Sequence, residues 1–532
     1  MAAQLIEALA KASEHLSRVR FVTAAGTQET SFGALWASAR RAARALRAAA
    51  PGPVAGLLIP DEAVIGCFVG ALLAGRDYLS LPLPGRAQPV EAYLEQIRCI
   101  LALCGARTLV VDRDLSSLCE PLRQSWPGEI VAAQAVVERA AGSNRMQIDP
   151  VPGALVQFSS GTTGSPKGVR LSGEAVLECT RAMHDRLDVR GGDVVCQWVP
   201  LSHDMGLIGG LIAAWCLPCD GRLGRAAGNY VCMTPELFLM RPLGWMELCS
   251  QTAATITTGP TFAYQVVARQ LAMRPQTLDL RSLRACVVGA EPIVASTLHA
   301  FCEAAGPSGF DPRALCPGYG LAEATLAVAL VAPDQAWTTR EVERLGERRQ
   351  LVSCGPLLGC VEVDAAACGG QEGSIRIRGP AVTRRLIPHR ERAADEWLDT
   401  RDLGMLIDGE LFVTGRSDDQ LSLAGRNVFT WELERSLDSV PGVRAGACAV
   451  VSDDEGRYAV LFEPHEPTSS DLHATIFAVR ACLVRVAGIG PSAVAAAPRG
   501  SLPKTPSGKL QRDRVKRELD ARLTDSLSCI RW

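Results

Sequence analysis

Between residues 30 and 150, short apolar runs alternate with helical patterns, and no other feature so narrows the folds open to this chain. A helical pattern over 35–49 precedes an apolar strand at 54–59, a helix over 62–74 and the apolar stretch 78–84. A helix near 90–104 and a strand at 108–111 repeat the unit, whereas 112–150 is poorly patterned. Strands spaced by helices of this length predict an α/β fold, with a parallel-rich sheet covered on both faces. Ligands of such sheets lie off the carboxyl ends of the strands. At 532 residues the chain exceeds one ordinary core, and about three or four structural units are expected.

A loop of unusual composition follows the apolar run Ala154-Leu155-Val156. It reads Phe158-Ser159-Ser160-Gly161-Thr162-Thr163-Gly164-Ser165-Pro166-Lys167-Gly168-Val169. Its glycines let backbone N–H groups turn inward, its hydroxyls add donors, and Lys167 adds positive charge, which together suit an oligophosphate. It is not a Walker loop, because Pro166 precedes the lysine and Gly168 follows it. The plain alternative is a strand-to-helix turn, but turns seldom concentrate so many Ser, Thr and Gly residues around one lysine.

Further segments carry polar residues where apolar ones are expected. In Gln197-Trp198-Val199-Pro200-Leu201-Ser202-His203-Asp204-Met205-Gly206-Leu207 a His-Asp pair interrupts an apolar run. It needs partners, from a ligand or from the protein itself. Thr257-Thr258-Gly259-Pro260-Thr261-Phe262-Ala263-Tyr264 ends a strand and opens a helix, with aromatics that belong either to a pocket wall or to plain core. Cys286-Val287-Val288-Gly289-Ala290-Glu291-Pro292 is a strand with a glycine turn that lets a flat base approach the backbone. In Gly318-Tyr319-Gly320-Leu321-Ala322-Glu323 an acid follows an aromatic and a glycine, and Glu323 is either a solvated helix-start residue or a metal ligand on phosphates. Asp402 precedes the short strand 411–413 and can accept two hydroxyls at once. The polar break Arg416-Ser417-Asp418-Asp419 suggests a boundary, with 1–415 as a large core and 416–532 as a small α+β unit. The tail Leu502-Pro503-Lys504-Thr505-Pro506-Ser507-Gly508-Lys509 displays Lys509 ahead of a basic helix.

Bulk properties exclude several classes. The formal charge of −2 gives no electrostatic reason for a nucleic-acid partner. The longest apolar run, 63–75, falls short of the roughly 20 residues a bilayer span needs. Glu7, Lys11 and Glu14 interrupt any apolar leader at the amphipathic N-terminus, so a cytoplasmic protein is expected. The 19 cysteines are mostly scattered and read as reduced, buried hydrophobes. Trp215-Cys216-Leu217-Pro218-Cys219 has redox spacing without the helix N-terminus that activates such thiols.

Six separated segments between 155 and 512, in order, resemble the adenylate-forming superfamily of acyl-CoA synthetases, peptide-synthetase adenylation domains and luciferases. The stretches 198–207, 289–292, 319–326 and Gly425-Arg426-Asn427 most resemble its fatty acyl-AMP ligases. The resemblance implies that a carboxylate attacks the α-phosphate of Mg–ATP and that the acyl group then passes to a phosphopantetheine thiol. It puts Thr162, Thr163 and Lys167 on the phosphates, Glu323 on magnesium, and Gly289, Ala290, Glu291, Tyr319 and Gly320 around adenine. Asp402 and Arg416 take the ribose, Lys509 the reacting centre and Asp418 a hinge, while His203 walls the acid pocket or orients the carboxylate. The small unit acts as a mobile lid.

The sequence departs from the superfamily at three places. Ala322 replaces a common threonine, Arg401 replaces the glycine usual before the ribose aspartate, and Arg384-Arg385-Leu386 replaces a Gly-Tyr pair. An insertion that discourages coenzyme A in acyl-AMP ligases falls between 330 and 355 and is compact here. The expectation is therefore a ligase that passes a fatty or related acid to an acyl carrier protein. The alternatives are a coenzyme A synthetase or a silent nucleotide- or acyl-binding homologue. The presence of Lys509, Glu323 and Asp402 speaks against silence.

Overall fold

A computed structural model describes residues 3–84, 88–113, 115–139, 151–159, 166–216, 229–273, 278–344, 347–364, 370–389, 391–423, 426–453, 457–465, 472–504, 510–522 and 529–531. The alternation in the first third builds a seven-stranded sheet. Its parallel part runs Leu155–Ser159, Tyr78–Ser80, Val54–Gly56, Thr108–Val111 and Glu129–Ala132, extended by antiparallel strands Lys167–Leu171 and Arg385–Ile387. The first strand is shorter than its apolar pattern because Pro60 offers no N–H and Asp61 caps the next helix, accepting from Val64 N at 3.0 Å. That helix, Glu62–Leu73, is the longest apolar run. It is buried from Val64 onward because it packs inside the protein. A Cβ on Gly70 would stand 2.7 Å from Ala42 Cβ, so only glycine allows this close crossing with the helix Phe32–Ala48.

The unpatterned region contributes the helix Leu122–Ser125, the strand Glu129–Ala132 and the helix Ala133–Glu138. These elements are too short, and the edge strand too isolated, to print a period on the sequence.

A second, eight-stranded sheet holds the order Ala327–Leu330, Leu315–Gly320, Ala285–Gly289, Ile256–Pro260, Val194–Gln197, Asn229–Met233, Val19–Thr23, Gly26–Thr30. Only its two outermost strands run antiparallel to their neighbours. One face packs on the helices Leu243–Gln251, Thr261–Met273 and Ala295–Ala305 through Trp198, Trp245, Tyr264 and Phe301. The other lies under the helix Gly173–Arg186 and the π-helix Leu207–Ile212. A four-stranded sheet then carries Leu398–Ile407 beside Glu410–Arg416.

From Leu421 onward the chain builds separate cores. Leu421, Val428, Leu433, Phe462 and Ile476 belong to one, and Ala449, Leu461, Val515 and Leu519 to another. The expected hairpin and helix there are Val443–Ser452, Tyr458–Pro464 and Leu472–Ala487. Among the described residues no helix is long and apolar enough to cross a membrane.

Candidate active site

One cleft opens where the carboxyl ends of Ala285–Gly289 and Leu315–Gly320 face the hairpin Leu398–Ile407/Glu410–Arg416. Lys167, His203, Gly289, Ala290, Glu291, Tyr319, Gly320, Glu323, Asp402, Arg416 and Asp418 all line it. Thr162, Thr163 and Lys509 lie outside the described residues, as does Cys219.

Asp402 is a buried carboxylate in the cleft, only 8% exposed. Tyr319 Oη donates to its Oδ2 at 2.5 Å, and Arg416, directly across the antiparallel ladder, brings Nε to 3.6 Å from Oδ1. Burial, reinforced by Asp402, pushes the Tyr319 phenol well above its usual range, which keeps it a donor. The Asp402 N–H donates to Thr400 Oγ1 at 3.0 Å, and that hydroxyl donates to Ile375 O at 2.7 Å. The carboxylate is thus aimed from both its side chain and its strand.

Arg401, where a glycine is usual, has φ +60°. A side chain there occupies the left-handed region that glycine enters without cost. Its guanidinium meets Asp418 at 3.3 Å, and Ser417 Oγ donates to Arg401 O at 3.0 Å. Asp418 sits on the single turn Ser417–Asp419, which links the hairpin to the C-terminal cores.

Glu323 lies on the one-turn helix Ala322–Ala324. Burial pushes its carboxyl above the usual range, with Arg416 opposing and Asp204 and Asp402 adding to the rise. It is partly buried on the cleft wall, and a cation would relieve the penalty. Around it the backbone is crowded. Thr325 has φ +67° with Oγ1 donating to Ala381 O at 2.6 Å, and a Cβ on Gly320 would stand 1.7 Å from Leu326 O. Among the described residues no three His, Cys, Asp or Glu side chains form a self-sufficient metal site. One carboxylate completed by ligand oxygens matches the habits of magnesium.

His203 caps the turn Asp204–Gly206, its Nδ1 standing 2.6 Å from Asp204 Oδ1 and 3.2 Å from Met205 N. Ala290 has φ +66°, and the Glu291 carboxylate accepts from Phe262 N at the start of the helix Thr261–Met273. Glu291 therefore offers this part of the cleft its backbone, with its carboxylate turned to the helix.

The aromatics expected as a pocket wall divide. Tyr264 is fully buried and packs edge-on against Trp245 and Phe301 at 5.1 and 5.0 Å, and Trp198 stacks on Phe238 at 3.7 Å. These are core, whereas Phe262 lines the cleft. The cleft instead continues along the opposite face of the sheet. Register puts Val195 beside Ile256, and Thr258 beside Val287, on one surface. Met183 and Leu187 from the helix end and Gly209 from the π-helix line the same space. From Ile256 to Thr258 this channel follows two strand steps, about 7 Å. No local pattern announced it, because its lining is assembled from segments up to a hundred residues apart. Cys216 follows the last turn of its helix, at the carbonyl end, where the helix dipole disfavours a thiolate. Most of the described cysteines are buried.

Two sheets flanking a cleft, with a smaller unit carried beyond a turn at its rim, define the architecture of the adenylate-forming enzymes. A solved structure from a study of fatty acyl-adenylate ligases from E. coli and L. pneumophila superposes with TM-score 0.86 over 98% of each chain, at 24% identity. The sequence profile of the AMP-binding enzyme family matches residues 9–386, and the chain belongs to that family of adenylate-forming ligases. A putative acyl-CoA synthetase of Caulobacter vibrioides is 32% identical over 492 residues, covering 86% of this chain and 83% of the relative. The medium-chain-fatty-acid–[acyl-carrier-protein] ligase JamA of Moorena producens is 32% identical over 409 residues, covering 68% and 67%.

Proposed function

We propose that the protein activates a fatty or related aliphatic acid with Mg–ATP and passes the acyl group to the phosphopantetheine thiol of an acyl carrier protein. The observation that carries this reading is the channel beside Val195, Ile256, Val287, Met183 and Leu187, which leaves the candidate nucleotide site and runs along a mainly apolar sheet face. An extended hydrocarbon fits such a channel, and its carboxylate then lies near His203 at the strand ends.

In the first half-reaction a carboxylate oxygen bonds to the α-phosphorus of ATP as the bond to pyrophosphate breaks. Asp402 and Arg416 hold the ribose, the Gly289–Glu291 backbone and Tyr319 flank the base, and Thr162, Thr163 and Lys167 bind phosphates. Glu323 would hold magnesium, which would supply charge neutralisation on the phosphates. Lys509 bridges the carboxylate and the α-phosphate, stabilising the charge that develops there. Residues 416–532 then turn about Asp418, withdrawing Lys509 and admitting the thiol. Support for a hinge comes from the separate cores beyond Leu421, which follow the single turn Ser417–Asp419 and from which Arg435 reaches back to Ser296 at 3.0 Å.

The acceptor reading draws on the similarity to JamA and on the hairpin Thr339–Arg344/Glu347–Val352, which occupies the segment of the coenzyme-A-discouraging insertion. Leu351 packs with Met405 and Phe412, fastening the hairpin to the sheet that leads into the hinge. Coenzyme A is the second reading, favoured by the similarity to the Caulobacter synthetase. Intact mass spectrometry of a phosphopantetheinylated carrier protein decides between them, with Mg–ATP, a ladder of acids and competing coenzyme A in the same tube. Acyl-carrier as the main product is expected; dominant acyl-CoA overturns the acceptor, and no pyrophosphate release with any acid overturns the activity.

A further inference from the structure

Thr258 projects from the middle of the strand Ile256–Pro260 onto the channel face. It is 6% exposed, yet its Oγ1 has no hydrogen-bond partner among the described residues. Its neighbour behaves otherwise: Thr257, on the opposite face, accepts from Trp245 Nε1 at 2.8 Å and donates to Cys196 O at 2.6 Å. Beside Thr258 in register stands Gln197, whose Nε2 donates to Tyr230 Oη at 2.6 Å while its buried Oε1 is likewise unpartnered. Neighbouring residues of one ladder thus each hold an unmet oxygen among the described residues, although the Gln197 amide leans towards Tyr230 and Cys232 on the strand beyond. A purely hydrocarbon ligand would leave Thr258 unmet, at its full desolvation cost.

The π-helix Leu207–Ile212 passes over Gln197, close enough that a Cβ on Gly210 would meet Gln197 Nε2 at 2.9 Å. Its neighbour Gly209 lines the cleft, and a Cβ there would stand 2.8 Å from Leu326 Cδ2. Local π turns of this kind recur where a helix is re-shaped around a functional site. Farther along, His184 already holds Ala213 O with its Nε2 at 3.0 Å, and burial lowers its pKa, favouring the neutral ring.

The geometry points to Thr258 as a specificity-determining residue that recognises a hydroxyl group borne part-way along the chain of the acid substrate. A hydroxyl both donates and accepts, so it satisfies Thr258 whichever way the threonine proton turns, including towards Gln197. Thr258 lies two strand steps before Pro260, roughly 7 Å below the strand ends. The recognised group is thus internal, away from the carboxylate. This inference rests on the proposed acid-activating function of the same cleft.

The test measures pyrophosphate release for a saturated straight-chain acid and its complete set of monohydroxylated positional isomers, using wild type, T258V and T258S. One internal isomer is expected to exceed the plain acid about tenfold in kcat/KM, since a site left with an unmet polar group discriminates strongly. T258V should erase that preference, bringing the ratio of kcat/KM for that isomer to that for the plain acid within about threefold of one, with the melting temperature equal or higher. T258S, which keeps the hydroxyl, should retain it. Turnover of the acids without an internal preference, or a preference that survives T258V, overturns the inference while the activity stands. Should no acid in the panel release pyrophosphate, the proposed activity fails and takes this inference with it.

Discussion

Substituting Asp402 by asparagine tests the ribose assignment with little change of shape. The carboxylate is buried, fixed by Tyr319 at 2.5 Å and flanked by Arg416 at 3.6 Å, so its charge is poorly screened. A hydrogen bond to a charged acceptor contributes about 1.5–3 kcal/mol and a neutral one about 0.5–1.5, so each ribose hydroxyl loses about 1–1.5 kcal/mol. Two hydroxyls lose about 2–3 kcal/mol, or roughly 30- to 150-fold in kcat/KM for ATP. Part of any loss in D402N could come from disturbing Tyr319 and Arg416, so the informative quantity is discrimination between nucleotides. Wild type should prefer ATP over 2′-deoxy-ATP and 3′-deoxy-ATP by about tenfold each, and D402N by less than about threefold. The assay is initial-rate pyrophosphate release at saturating acid. Equal discrimination by D402N and wild type would refute the assignment, however inactive the variant.

The burial that raises Glu323 makes its ionised form costly in the folded protein. That cost is absent below the ordinary carboxylate pKa and grows as pH rises through the raised value, so E323Q should melt higher than wild type at neutral pH without magnesium and converge with it in acid. The same variant should lose more than tenfold in adenylation, read as pyrophosphate release. R401G relieves a left-handed side chain worth about 1 kcal/mol and forgoes an exposed ion pair worth about 0.5, so thermal melts should show equal or slightly higher stability; a clear fall would show the pair to matter more. K509A should abolish adenylate formation while sparing thioester formation from a supplied acyl-adenylate, and D418P should do the reverse; equal loss of both half-reactions in either variant sinks the lid-and-hinge reading.

Much of the site was legible because its residues come in short local packages. Gly289-Ala290-Glu291, Tyr319-Gly320 and Glu323 each end a strand, and strand ends in a parallel sheet converge on one edge, so order along the chain already implied a common cleft. The first sheet was legible for a similar reason: Val90–Cys104 and Thr108–Val111 carry a full helical period and a fully buried strand. Elements as short as Leu122–Ser125 and Glu129–Ala132 print no period and were invisible.

What the sequence determined by itself was the architecture and the polar rim of the cleft, since glycines, acids and strand ends are local properties. Only the tertiary structure decided which face of each strand meets the ligand space. One residue separates Thr257, bonded into the aromatic core, from Thr258, orphaned on the channel, because successive side chains of a strand point to opposite faces. Nor could the chain alone pair Arg401 with Asp418 or bring Met183 and Gly209 over Ile256, because those contacts exist only once distant segments have packed.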